Sequence, residues 1–168
     1  FRGDGSKKQF TYYTGTEVGE EVTSWSKEYN YNGSSVKTVT VYNTDSSGVL
    51  LDSTVYKNVV TTNDPSAKPT VAQLATPANY LKKSFTDYVG ATKGEEKSDY
   101  TSTYKADGTT IDTTTYYYYY AGISANGPDG IANTADDVLR PAERASATGT
   151  RVNADSYMMR SETFRGDG

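Results

Sequence analysis

The chain has 168 residues and a formal net charge of −4, from 17 basic and 21 acidic side chains, and it contains neither Cys nor His. The lack of Cys excludes disulfides, thiolate nucleophiles and the usual structural zinc sites, and the lack of His excludes a Ser-His-Asp triad. The acidic balance argues against a partner with a phosphate backbone, and no stretch approaches the ~18 consecutive apolar residues of a membrane-spanning helix.

Hydroxyl-bearing residues dominate the composition. The chain has 25 Thr, 16 Tyr and 16 Ser, but Leu, Ile, Val and Phe together number only 25. Thr and Tyr favour the pleated, half-buried surface of a strand. We therefore predict an all-β protein with a thin core, built from repeated β-hairpins in a sheet or a sandwich, with two short helical inserts.

A pentapeptide at the start of the chain recurs at its end. Phe-Arg-Gly-Asp-Gly occupies residues 1–5 and residues 164–168, a spacing of 163 residues. A tag added at both ends would explain this identity, but the residues around the second copy also fit an element that occurs twice inside the chain. We therefore interpret residues 1–168 as one window of a tandem array with a period of 163 residues.

The internal element is a diverged repeat. Residues 10–42 align without a gap onto residues 85–117, and 12 of the 33 positions are identical. Each copy has an aromatic strand, an Asn-Gly or Asp-Gly turn and a Thr-rich strand, the pattern of a hairpin whose central turn residues tolerate positive φ. The predicted turn residues are Asp4, Gly5, Asn32, Gly33, Asp107, Gly108, Asp167 and Gly168.

The Arg-Gly-Asp tripeptide at residues 2–4 and 165–167 spells an integrin-binding sequence. The corresponding positions of the two internal hairpins, residues 30–32 and 105–107, share the predicted turn but not this spelling. We therefore interpret the tripeptide as part of a turn.

A pair of glutamates also recurs in the repeat, as residues 20–21 and 95–96. Adjacent residues of a strand point to opposite faces, so neither pair converges on one substrate as a glycosidase dyad would. Recurrence at equivalent positions indicates a structural role, and we predict that the chain is not an enzyme.

Two inserts, residues 64–83 and 127–145, interrupt the hairpin pattern. They contain most of the Leu residues of the chain, namely Leu74, Leu81 and Leu139. We expect the inserts to cover a face of the sheet that Thr-rich strands do not close alone.

Each insert contains the sequence signals of one short helix. Thr76 as N-cap and Pro77 at the first helical position predict a helix over residues 78–83. Residues 134–140 predict a second capped helix, which ends near Pro141.

The second insert also contains a cluster of oxygen ligands, Asp129, Asn133, Asp136 and Asp137. Calcium binds six to eight oxygens on a turning loop, so these residues are candidate ligands. The alternative is a Gly-Pro turn followed by a helix start, where acidic residues favour the positive end of the helix dipole. No cofactor is required by either interpretation.

The most unusual local feature is a run of five tyrosines, Tyr116, Tyr117, Tyr118, Tyr119 and Tyr120. In a strand their rings alternate between the two faces, and they suit packing between units, packing within one unit, or stacking against sugars. We favour packing between units. Residues 6–13, with Phe10, Tyr12 and Tyr13, would be left as an unpaired edge in one isolated window and would recruit another copy.

The spacing of the tyrosine and the turn resembles the tyrosine-rich YD repeats of large bacterial surface and secreted proteins. Tyr29 followed by Asn32-Gly33, and Tyr104 followed by Asp107-Gly108, carry this resemblance. It implies an extracellular or cell-surface location and an all-β repeat architecture, and it implies no catalytic residue.

Together these patterns predict an extracellular structural repeat protein that forms a fibre or filament by strand pairing between units. Its partners are copies of itself, with no nucleic acid and no membrane span. The alternative is a calcium-dependent adhesin or a carbohydrate-binding module, with glycans as the partner and the tyrosine run as the platform.

Overall fold

The computed structural model describes residue 3 and residues 5–167. Within this part of the chain, eight strands form one antiparallel sheet and two short strands form a separate ribbon, so the all-β prediction is confirmed. The elements are β1 (Gln9–Thr14), β2 (Val22–Tyr29), β3 (Val36–Thr44), β4 (Leu50–Asn58), α1 (Val71–Leu74), β5 (Tyr80–Val89), β6 (Lys97–Tyr104), β7 (Ile111–Tyr119), β8 (Ile123–Ala125), β9 (Val138–Leu139) and β10 (Met158–Arg165).

The large sheet is an open meander. Its strand order is β1-β2-β3-β4-β5-β6-β7-β10, so every strand lies beside its neighbour in the chain except where β8 and β9 are passed over. The bounds of β6 and β7 lie 75 residues after those of β2 and β3. The sheet does not fold onto itself as a sandwich or barrel, and β1 and β10 are its two edges.

One face of the sheet holds the apolar and aromatic side chains. Directly opposed residues of an antiparallel pair share a face, and Trp25 lies opposite Val41, which lies opposite Thr54, which lies opposite Phe85. We call the side that contains Trp25 and Phe85 the aromatic face. Its buried cluster consists of Trp25, Tyr29, Val36, Val39, Val41 and Tyr80.

The other side, the threonine face, is closed mainly by hydroxyl groups. Across it Thr86 lies opposite Thr101, Thr101 opposite Thr115, and Thr115 opposite Thr163. The Oγ1 atoms of Thr86 and Thr101 are 2.9 Å apart, and those of Thr115 and Thr163 are 2.8 Å apart. Hydrogen bonds between opposed Thr side chains stabilise a sheet without an apolar cover, which accounts for the thin core.

The first insert lies over the aromatic face and is held there by an ion pair. The Lys27 ammonium, whose side chain is 7% exposed, donates to Oδ1 of Asp64 at 2.5 Å and to the carbonyl of Pro65 at 2.9 Å. The hydroxyl of Tyr29 donates to the same carboxylate at 3.0 Å. The hydrogen bond from Lys27 holds the pKa of Asp64 below its usual range. Leu74 of α1 packs against the buried cluster.

The second insert is also held on the aromatic face by an ion pair. Here the strand provides the acidic residue and the insert provides the basic one. The Arg144 guanidinium pairs with the carboxylate of Asp99, which is 1% exposed and also accepts from the amide of Ser146 at 3.1 Å. Asp99 lies in β6 where the register with β5 shifts. The guanidinium carbon of Arg144 also lies 4.3 Å from the centre of the Tyr116 ring.

Neither predicted helix forms at its predicted residues. Residues 80–83 belong to β5, where Tyr80 pairs with Asn58 and Leu81 with Lys57, so strand pairing overrides the signal of Thr76 and Pro77. The helix of the first insert is instead α1, whose N-cap Thr70 forms a capping box with Gln73.

In the second insert, residues 134–137 form turns rather than a helix, and Val138 pairs with Ala125 across the small ribbon. Leu139, expected to cover the sheet, is 46% exposed. Among the residues that the structure describes, no helix is long and apolar enough to cross a membrane.

We expect the Arg144→Met substitution to lower the free energy of unfolding by about 2–3 kcal/mol, because it leaves the buried Asp99 carboxylate without its counter-ion. Arg151→Met is the matched control, because Arg151 is 56% exposed in its ion pair with Glu143 and such pairs contribute less than about 1 kcal/mol. Urea denaturation of both variants checks this. Equal losses would show that the Arg144 pair does not hold the insert.

Candidate functional site: the two edges of the sheet

The described turn residues close two hairpins of the same geometry. In the first, the Asn30 amide donates to the Ser35 carbonyl at 2.9 Å and the Gly33 amide donates to the Asn30 carbonyl at 3.0 Å. In the second, Lys105 donates to Thr110 at 2.8 Å and Gly108 donates to Lys105 at 2.9 Å. Each hairpin therefore has a connection of six residues.

Only the glycine of each turn has positive φ, +70° at Gly33 and +71° at Gly108, so the expectation of positive φ at both central positions is wrong for Asn32 and Asp107. A Cβ atom at Gly33 would lie 2.8 Å from the Lys7 amide nitrogen, and one at Gly108 would lie 2.9 Å from that of Lys82. Glycine is thus required both by backbone conformation and by close approach of the preceding strand.

The side chain before each glycine accepts hydrogen bonds from the residues after it. Oδ1 of Asn32 accepts from the Ser34 amide at 3.0 Å. The Asp107 carboxylate accepts from the hydroxyl of Thr110 at 2.6 Å and from two backbone amides, and these bonds lower the pKa of Asp107 to about 2. An acceptor side chain, rather than a left-handed conformation, is what this position contributes.

The turn residues near the two ends are described in part. Asp4 and Gly168 lie outside the described residues, while Gly5 has φ +79°. Beyond β10, Gly166 has φ +78° and its amide donates to the Asp112 carbonyl at 2.8 Å. Asp167 is exposed.

β1 presents one row of backbone groups to the outside of the sheet. The Tyr29 amide donates to the Lys8 carbonyl at 2.9 Å, so Lys8 faces β2. Because these groups alternate along an antiparallel strand, the amides of Gln9 and Thr11 point away from β2. The expectation of an unpaired edge is wrong for the inner side, which pairs with β2 from Gln9 to Thr14, and on the outer side no other described strand lies beside β1.

The aromatic residues of β1 differ in exposure. Tyr12 stacks on Trp25, with ring centres 4.2 Å apart and an angle of 3°, and is half-buried rather than exposed as expected. Phe10 is 37% exposed and lies edge-on to Tyr29 at 5.9 Å, and Tyr13 is 61% exposed.

β10 presents the corresponding row at the opposite edge. Gly166, just beyond the end of β10, faces Asp112 of β7, so alternation directs Phe164 and Glu162 towards β7 and directs Arg165, Thr163 and Ser161 outwards. Among the described strands, β10 pairs only with β7 and β1 only with β2. Residues 6–13 and 157–163 do not pair with each other within the chain.

A row of rings runs along the aromatic face to the β10 edge. The ring centres of Phe85 and Tyr100 are 5.9 Å apart, those of Tyr100 and Tyr116 are 6.2 Å apart, and those of Tyr116 and Phe164 are 6.1 Å apart. Phe164 is the last member and is 46% exposed. The row therefore ends on an apolar side chain that faces solvent.

All five residues of the tyrosine run make contacts inside the chain. Tyr116 belongs to the ring row, the Tyr117 hydroxyl donates to Oγ1 of Thr101 at 3.1 Å, and the Tyr118 ring lies 4.4 Å from the Arg160 guanidinium carbon. The buried Tyr119 donates from its hydroxyl to the Ser98 carbonyl at 2.7 Å, and Tyr120 stacks on Tyr157 at 5.1 Å. Packing between units by this run stays a prediction.

The acidic loop of the second insert is held by its own hydrogen bonds. Asp137 accepts from the amides of Gly127 at 2.9 Å and Thr134 at 3.0 Å, and Asp136 accepts from the Thr134 hydroxyl at 2.8 Å. Asp129 accepts from the Ile131 amide at 2.8 Å, and Asn133 has positive φ, +65°. In the described part of the chain, no three or more His, Cys, Asp or Glu side chains form a group that could hold a metal ion. Calcium binding stays a prediction.

The recurring glutamates make the same hydrogen bond in both halves. Oε2 of Glu21 accepts from the Gly19 amide and Oε2 of Glu96 accepts from the Gly94 amide, each at 2.9 Å. Glu96 also accepts from the Leu50 amide at 2.8 Å, which ties its loop to β4.

The sequence analysis missed the two ion pairs that hold the inserts. Both involve a strand position at which the aligned repeat changes from Ser to a charged residue, because Lys27 aligns with Ser102 and Asp99 aligns with Ser24. The sequence signal for these ion pairs was a charged residue that is present in only one of the two aligned copies.

We expect the Asp107 carboxyl to titrate near pH 2, well below the ~3.9 of an unstructured Asp. A lowered folded pKa contributes stability that is present above about pH 4 and is lost as the pH falls towards 2. Asp107→Asn, which copies the residue at position 32, should remove this part of the pH dependence, so that the stability of the two proteins converges at low pH. Carboxyl ¹³C NMR and urea denaturation measure both effects, and a titration near 3.9 would contradict the hydrogen-bond account.

The geometry thus identifies two strand edges at opposite sides of an open sheet as the candidate functional site. No protein-family model, no curated protein and no solved structure matches the chain. The two strand edges and the side chains beside them are therefore the basis of the proposed function.

Proposed function

We propose that the chain is a structural, non-enzymatic unit of an extracellular fibre, in which β10 of one copy pairs antiparallel with β1 of the next. The position of the two edges carries this proposal. β1 and β10 are separated by six strands, and each has one side without a partner strand among the described residues. A sheet with two such edges is extended by adding copies without any change in its interior.

The sequence around the edges supports the same connection. The pentapeptide that begins with the last two residues of β10 also precedes β1. In the two internal hairpins, the corresponding residues connect β2 to β3 and β6 to β7. A pentapeptide shared between two copies therefore makes β10 and the next β1 a hairpin of the kind that the chain already contains twice.

Each edge strand has one β-bulge, between Tyr12 and Tyr13 in β1 and between Met158 and Arg160 in β10, but residues 9–12 and 160–165 pair in regular register. β1 and β10 have six and eight residues, and neither contains a proline. Natural sheets protect their edges with proline, inward-pointing charges or covering loops, and an unprotected edge recruits another strand. The edges of this sheet are therefore suited to association rather than to a monomer.

We expect the purified chain to form filaments as its concentration rises, and we expect Thr11→Pro to prevent this. The Thr11 amide points away from β2, so proline removes a hydrogen bond between copies while leaving those to β2. One lost hydrogen bond weakens a junction by about fivefold, and the ring adds a steric clash.

Thr11→Val is the matched control, because it keeps the amide, and Ser161→Pro tests the opposite edge. Sedimentation and electron microscopy measure the association. A wild-type chain that stays monomeric, or proline variants that associate like the wild type, would contradict the proposal.

A groove on the aromatic face favours a carbohydrate-binding module as the second candidate. The groove encloses about 510 Å³ and is lined by Phe85, Tyr100 and Tyr116 together with Lys82 and Arg144. Aromatic faces beside hydrogen-bonding groups are suited to sugar rings. In its calcium-dependent form, this candidate also places a metal ion at the acidic loop.

The second candidate predicts that soluble oligosaccharides bind the chain and that Tyr100→Ala abolishes binding, with Tyr13→Ala, at an exposed position on β1, as the control. Calcium in the loop would raise the melting temperature relative to EDTA, because a ligand that binds only the folded state stabilises it. Asp136→Asn would remove that difference. Calorimetry measures oligosaccharide binding, and thermal melts measure the effect of calcium. If neither effect is found, the carbohydrate-binding candidate is contradicted and the fibre remains the proposed function.

A further inference from the structure

We propose that the junction between copies has one register, in which Thr163 of β10 lies opposite Gln9 of the next copy and the strands continue without a bulge. This inference rests on the proposed function, because it names how the two edges of the same site meet. It follows from two constraints: the parity of the strands, seen both in the direction of the backbone amides and in the sidedness of the sheet, and the length of the turn.

The amide directions allow only every second register. Thr163 points outwards from β10, and Gln9 and Thr11 point outwards from β1, whereas Phe10 faces β2 within its own copy. Thr163 forms a reciprocal hydrogen-bonded pair only with a residue whose amide also points outwards. A register with Thr163 opposite Phe10 leaves both edges unsatisfied, so it is excluded.

The sidedness of the sheet gives the same parity. Glu162 lies opposite Tyr116 and Phe164 opposite Thr114, so both belong to the aromatic face. On β1, Phe10 lies opposite Lys27 and Tyr12 opposite Trp25, so both belong to that face as well. Placing Thr163 opposite Gln9 places Glu162 opposite Phe10, and the aromatic face continues from copy to copy. A slip of one residue would turn Phe10 and Tyr12 to the threonine face.

The turn length selects among the registers of correct parity. In the internal hairpins the residues that close the connection are Asn30 with Ser35 and Lys105 with Thr110. With one pentapeptide shared between two copies, a connection of the same six residues runs from Arg165 to Lys7. Lys7 then lies opposite Arg165, and counting back along both strands brings Thr163 opposite Gln9.

The junction differs from the internal hairpins in one respect. In the internal hairpins, the strand register shifts beside the turn, between Glu28 and Tyr29 and between Thr103 and Tyr104. The same shift at the junction would bring Thr163 opposite Phe10, which the amide directions exclude.

This register joins complementary side chains. Phe164 and Phe10 become diagonal neighbours on one face, so the ring row that ends at Phe164 gains a further member. Glu162 becomes a diagonal neighbour of Lys8, and Arg160 lies opposite Tyr12, a geometry suited to a cation–π contact. The two exposed phenylalanines at opposite edges of the sheet therefore cover each other in the fibre.

Engineered disulfides test the register, because the chain has no native Cys. Glu162 and Phe10 form a non-hydrogen-bonded pair in this register, with Cα atoms about 4.5 Å apart, which suits a disulfide. We expect a mixture of full-length Glu162→Cys and Phe10→Cys chains to form a cross-linked heterodimer under mild oxidation. The control mixture of Glu162→Cys with Thr11→Cys should give at least tenfold less, because the two side chains lie on opposite faces.

The same pairs in a chain of two copies that share one pentapeptide provide a second measurement, read from cross-linked peptides by mass spectrometry. Preferential cross-linking of the Glu162→Cys variant to the Thr11→Cys variant would overturn the register while leaving the fibre intact. Association of the wild type without either cross-link would likewise overturn it. A wild type that stays monomeric would overturn the fibre itself, whatever cross-links form in the two-copy chain.

Discussion

The hydrogen-bonding capacity of the backbone is the constraint on which this structure depends. Each inner strand of the sheet pairs with a strand on both sides, whereas β1 and β10 each have one neighbouring strand among the described residues. A closed barrel would remove these edges and a sandwich would cover a face, but the chain does neither. In the proposed fibre, the backbone groups of these edges would form the contact between copies and, together with the turn length, would set its register.

The two faces of the sheet are stabilised in different ways. On the threonine face, opposed hydroxyl groups bond to each other, so this face remains in contact with water without apolar cover. On the aromatic face, Leu74 of the first insert packs against the buried cluster and Arg144 of the second insert lies over the Tyr116 ring. A single ion pair fixes each insert at a buried strand residue, Lys27 in one half and Asp99 in the other. The inserts thus stabilise the unit without blocking either edge.

The helix errors show which force prevails when local and distant signals conflict. Thr76 and Pro77 are a valid helix start, yet the residues after them pair with β4 because that pairing satisfies a whole row of backbone groups. A four-residue helix forms instead at Thr70, where the backbone has no strand beside it and a capping box is available. Local propensity is worth tenths of a kcal/mol per residue, so an adjacent sheet edge overrides it.

The hairpins, their turn glycines, the all-β class and the 75-residue offset of β6 and β7 from β2 and β3 were predictable from the sequence, because local residue patterns specify them. Gly33 and Gly108 are required by one turn conformation, and the Thr-rich strands follow from composition. Three features could be seen only in the folded chain: the pairing of β4 with β5 and of β7 with β10 across the inserts, the contact of Arg144 with Asp99, and the outward amides of β1 and β10. Those features depend on contacts between residues far apart in sequence, where the pairing partner is chosen by the hydrogen bonds and side chains of the assembled sheet.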